Sequence, residues 1–268
     1  MAGRGTIRTG IGGWTFEPWE GSFYPDDLPK KRQLGYAASK LRTIEVNGTF
    51  YRSQKPETFA KWASEAPEGF VFSLKAPRYA VNRKVLAEGG ESIQRFVESG
   101  IAELGDKLGP LLWQMAATKQ FDPDDFGAFL KLLPSKAGGI ALRNVVELRH
   151  ESFACPQAVQ MCREAGVAIV YAESADYPEI ADVTADFVYA RLQKGDAGIA
   201  TGYPADALDA WAERARQWAS GGQPADRPRH DPETVAAETP RDVFVYFIRE
   251  GKVRAPQAAM ALQERLDD

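Results

Sequence analysis

The chain has 268 residues, 44% hydrophobic and 26% charged, with a net charge of −4 at pH 7. That composition and length suit a globular protein with a full core, and the acidic balance gives no support for a chain-wide nucleic-acid footprint. No apolar run approaches the roughly 20 residues of a membrane span, and the opening MAGRGTIRTG lacks the apolar stretch of a secretory signal, so a soluble, cytoplasmic protein is expected.

Strand-like and helix-like runs alternate along the chain. IRTGIGG (residues 7–13) reads as a strand and runs into an aromatic-rich loop, GGWTFEPWEGSFYP (12–25). TIEVN (43–47) is the second strand. The run 56–66 predicts a helix, with Pro56 at its first position and Glu57 in its first turn. FVFSLKA (70–76) follows as a strand, and 91–104 predicts one helix with Ile93, Phe96, Val97 and Ile101 on a shared face. PLLWQM (110–115) is a strand, 122–133 a helix with an Asp cap signal, NVVELR (144–149) a strand and 156–166 a helix ending in glycine.

AIVYAES (168–174) and FVYARLQ (187–193) are strands, with the weakest helical pattern of the chain between them. A helix over 205–220, a polar stretch rich in Pro and Gly over 221–240, VFVYFI (243–248) and a helix over 255–266 complete the chain. Residues 221–240 read either as a functional loop or as a tolerated insertion. Cys155 and Cys162 fall on one helix face about 10 Å apart along the axis, too far for a disulfide. With only His150 and His230 and no C-x-x-C, no metal site and no cofactor are expected.

Eight strands alternating with helices predict an α/β fold: a TIM-barrel-like (β/α)8 closed parallel barrel, one domain over residues 1–268. No G-x-G-x-x-G loop follows the first strand, which weighs against a dinucleotide site.

Strand phasing then places the polar residues. Ile44 and Val46 suit the helix layer, which turns Glu45 and Asn47 inward. By the same alternation Ser73 and Lys75, Glu147 and Arg149, and Tyr189, Arg191 and Gln193 point in, while PLLWQM leaves Gln114 or Trp113 open. Glu173 shares a face with Tyr171 and is a further candidate. These residues fall late in their strands, at the end where barrels bind ligands. Lys75, Arg149 and Arg191 suit an anion, and Glu45 and Glu147 are candidates for general acid and base. Trp14, Phe16, Trp19, Phe23, Tyr24, Phe50 and Tyr51 predict either a stacking wall or a hydrophobic plug.

The ordered motifs GIGGWTFEPWEGSFYP, EVNGTFYR, FSLKAPR, GPLLWQM, VELRHESF and FVYARLQ resemble the DUF72, or YecE-like, family over nearly the whole chain. The resemblance implies a TIM-barrel-like fold, with Glu45, Asn47, Thr49, Phe50, Tyr51, Lys75, Gln114, Glu147, Arg149 and Arg191 on matching positions. Two histidines common in the family are replaced, in the regions of Val81–Asn82 and Gln193–Lys194. The expected ligand is small and anionic or sugar-phosphate-like, bound by Trp14, Asn47, Tyr51, Lys75, Gln114, Arg149 and Arg191, with metal-independent acid/base catalysis by Glu45 and Glu147. The alternatives are a nucleotide or single-stranded nucleic-acid binding module, or a member that has lost activity.

Overall fold

The computed structural model describes residues 4–267. Among these described residues ten strands run in chain order: β1 (Ile7–Gly12), β2 (Thr43–Val46), β3 (Val71–Lys75), β4 (Leu108–Gln114), β5 (Lys136–Ala137), β6 (Ile140–Ala141), β7 (Asn144–Glu147), β8 (Ala168–Glu173), β9 (Phe187–Lys194) and β10 (Asp242–Glu250). The short pair β5–β6 is an antiparallel hairpin, and the others close in the order β1-β10-β9-β8-β7-β4-β3-β2 with parallel pairing. This is the expected closed parallel barrel.

The helices are α1 (Gln33–Lys40), α2 (Gly48–Tyr51), α3 (Pro56–Glu65), α4 (Arg78–Val81), α5 (Gly90–Val97), α6 (Pro123–Leu132), α7 (Pro156–Glu164), α8 (Ala205–Ala219) and α9 (Ala255–Asp267). Outward strand residues such as Ile44, Phe72, Leu74, Val146 and Leu192 join the helices in a large outer core. Inward ones, Val71, Leu112, Val145, Val170, Tyr189, Phe244 and Tyr246, form a smaller core inside the barrel. Gly10 lets strands approach there, since a Cβ would lie 2.0 Å from the Thr43 carbonyl oxygen.

Beyond the short α2, α4 and β5–β6 pieces, which the sequence reading does not include, the following stretches are informative. The helix predicted over 91–104 stops at α5, because Gly100 turns left-handed at φ 104° and a 3-10 segment, Ile101–Lys107, follows. Helix α1 was not anticipated; it buries only Leu34, Ala37 and Ala38 with Gln33, and Gly35 interrupts its apolar stripe. Residues 174–186 contain no helix.

Residues 221–240 bind that helix-free segment. The Ala181 amide donates to the Pro228 carbonyl at 2.9 Å, and the His230 and Asp231 amides donate to the Asp182 carboxylate at 2.7 and 3.0 Å. Arg163 of α7 pairs with Asp231 at 2.6 Å, and Arg227 donates toward Tyr171. The polar stretch is thus a strap on the outside of the barrel, entering β10 from the end opposite the mouth.

Candidate functional site

At the C-terminal ends of the strands lies a cavity of about 850 Å³. Trp14, Asn47, Tyr51, Lys75, Gln114, Arg149 and Arg191 all line it. Gln114 points in; Trp113 points out, packing edge-on against Phe96 and Phe129 while its indole donates to Asn144. Glu45 and Glu147 lie beneath the floor, 0% and 1% exposed.

A continuous hydrogen-bond network holds them. Arg191 grips Glu45 with two nitrogens, Nη2 to Oε1 at 2.9 Å and Nε to Oε2 at 3.1 Å, and reaches Glu147 with Nη1 at 2.6 Å. Tyr189 donates to Glu45 at 2.7 Å and meets Ser73 at 2.9 Å. Gln114 and Arg149 engage the second oxygen of Glu147. Burial alone would raise the Glu147 pKa, but Arg191 and Arg149 overcome it and pull the carboxyl down to about 2. Burial likewise opposes the Arg191 charge, and Glu147 and Glu45 reverse that effect. The expected acid/base pair is therefore also the counter-ion set of a buried arginine, and Glu147 holds no proton to donate near neutral pH.

Two side chains stand apart from this matching. Lys75 is 7% exposed, and its Nζ makes no hydrogen bond or ion pair among the described residues; it sits over the Phe50 ring at 4.0 Å. Burial, then the nearby Arg191, lowers its pKa to about 8. Gln193 is 2% exposed, and neither its amide nitrogen nor its oxygen has a partner among the described residues.

Over the β8 and β10 side, the Tyr177 ring takes Arg149 at 4.4 Å and Arg249 at 5.3 Å. Arg249 also pairs with Asp176 and holds a left-handed φ of 67°, rare for a residue with a side chain.

Glu173 does not join the ring. It turns outward and accepts from Tyr203 at 2.9 Å, consistent with its shared face with Tyr171. The aromatic loop divides: Phe23 and Tyr24 pack with Tyr36 as a plug, and Trp19 is buried, although it and Trp14 also border the cavity. Tyr51 stands 67% exposed at the rim. His150 bonds Ser152 and His230 meets the Glu179 carbonyl, both away from the cavity. Cys155 and Cys162 are free. Among the described residues no group of three His, Cys, Asp or Glu gathers as a metal site, and no helix is long and apolar enough to cross a membrane.

Phasing had turned Gln193 inward without marking it as a site residue. Tyr177, Arg249, Arg52 and Lys252 also line the cavity and come from loops or strand ends, where alternation gives no signal.

The comparisons agree with this fold. Over 130 residues the chain is 27% identical to the UPF0759 protein YecE of Escherichia coli, a match covering 47% of this chain and 46% of that protein, so it spans about half the length of the curated relatives it matches. A DUF72 family protein from Thermotoga maritima superposes with a TM-score of 0.72 at 20% identity, covering 98% of this chain and 100% of that one. Another from Enterococcus faecalis gives 0.70 at 19% identity, covering 98% and 96%. The family described as protein of unknown function DUF72 matches residues 8–268, and the chain belongs to it.

Proposed function

We propose that the cavity binds a small anionic ligand with a planar or sugar-like body. One observation carries this reading. Six cationic side chains line the wall, Arg52, Lys75, Arg149, Arg191, Arg249 and Lys252, and among the described residues no Asp or Glu does. The carboxylates that balance Arg191 are under the floor, out of a ligand's reach. Trp14, Tyr51 and Tyr177 supply flat apolar surface beside the cations. The volume falls within the roughly 300–1,000 Å³ usual for small-molecule sites.

In this reading Glu45 and Glu147 fix the Arg191 guanidinium in place and do not trade protons with the ligand. A chain charge of −4, with cations gathered in a cavity, favours a small anion over a nucleic-acid strand.

Thermal-shift titration with pyrophosphate, citrate and ribose 5-phosphate tests it. At least one should raise the melting temperature at low salt, with the effect shrinking as salt rises, and Lys75→Met should weaken binding by about tenfold or more. No shift from any of them at about 10 mM would sink the proposal.

A further inference from the structure

The Lys75 head group is the odd member of the mouth. Glu45 and Glu147, which would ordinarily claim an ammonium, have their oxygens taken by Arg191, Arg149, Gln114 and Tyr189. The Lys75 stem is enclosed, its nitrogen rests on an aromatic face, and its remaining exposure opens on the cavity. A group meant only to hold an anion gains from being fully charged. Here burial and two guanidiniums work against that charge, and the pKa near 8 leaves about a tenth of the side chain as free amine at pH 7 and about half at pH 8.

We propose that the ligand carries an aldehyde or ketone beside its anionic group, and that the Lys75 amine condenses with that carbonyl to form an imine in the cavity. This rests on the anion-binding reading and narrows it to a chemical class. The amine lone pair attacks the carbonyl carbon, forming a C–N bond and a carbinolamine. Both amine protons and the carbonyl oxygen then depart as water, leaving C=N. No oxidant or reductant is needed. The flanking cations hold the anionic group, so the carbonyl is delivered to Nζ.

The test is reductive trapping with glyoxylate, which pairs an aldehyde with a carboxylate. The protein is treated with glyoxylate and cyanoborohydride near pH 8, and modified lysines are mapped by peptide mass spectrometry. Lys75 should be alkylated about tenfold or more faster than the exposed Lys30 and Lys61, and this preference should fall with neutral acetaldehyde. Pyrophosphate should protect Lys75 and spare the others. Lys75→Arg, which keeps the charge, should lose the fast site alone. Alkylation of Lys75 no faster than Lys61 would overturn the imine. Pyrophosphate-induced stabilisation, read separately, reports whether the anion site stands without it.

Discussion

The mouth ring has two sides built on opposite principles. Between β2, β7 and β9, Glu45, Arg191 and Glu147 satisfy one another with the help of Tyr189, Gln114 and Arg149. On β3 and at the far end of β9, Lys75 and Gln193 are nearly as buried, and among the described residues neither side chain has a hydrogen-bond or ion-pair partner. A buried charge that is fully paired is a frame, whereas a buried polar group without a partner is a standing cost that folding alone does not explain. Under the anion-binding proposal, the contrast separates what holds the barrel mouth from what would meet the ligand.

The sharpest way to break the contrast is on the paired side. Arg191→Met strands two buried carboxylates and should cost about 3–5 kcal/mol in urea unfolding. A loss under about 1 kcal/mol would show that Arg191 is not the keystone. Acid reads the same frame more gently. The Glu147 pKa falls from 4.5 in the unfolded chain to about 2 in the folded one, so its contribution is complete above 4.5 and lost as pH drops through 2. Glu147→Gln should flatten that acid limb, a difference of about 3 kcal/mol between its two ends.

On the unmatched side the sign reverses. Lys75 titrates near 8 when folded and 10.5 when free, so the folded protein binds fewer protons between those values and wild-type stability rises with pH across them. The charges bearing on it are Arg191 and Arg149, opposed by Glu45 and Glu147. Lys75→Met should therefore stabilise the unliganded protein by about 2 kcal/mol at neutral pH, with the gain fading toward 10.5. The smallest test compares two glutamines by calorimetry. Gln114→Leu removes a donor to Glu147 and should destabilise by about 1–2 kcal/mol, while Gln193→Leu removes two orphaned atoms and should be neutral or mildly stabilising. Equal losses at both would erase the distinction.

Much of this frame was legible because strand alternation is rigid. Once Ile44 and Val46 were assigned to the helix layer, Glu45 had to face inward, and the same logic delivered Lys75, Glu147 and Arg191. What alternation cannot supply is pairing: nothing in TIEVN or FVYARLQ says that Glu45 and Arg191 meet across 146 residues, or that Lys75 is excluded from the match. Arg249 and Tyr177 were illegible for another reason, since they are placed by a left-handed residue and by a segment without regular structure. PLLWQM was ambiguous because Trp113 and Gln114 suit either face until the helix layer supplies Phe96 and Phe129.

The strap over 221–240 also bears on how the chain tolerates change. Residues 181–183 take hydrogen-bond partners from Pro228, His230, Asp231 and Gln223, so two stretches some forty to fifty residues apart serve as each other's scaffold. The length of the strap is therefore a fitted dimension, and a deletion within it would be felt first at the outer wall of β8 and β9.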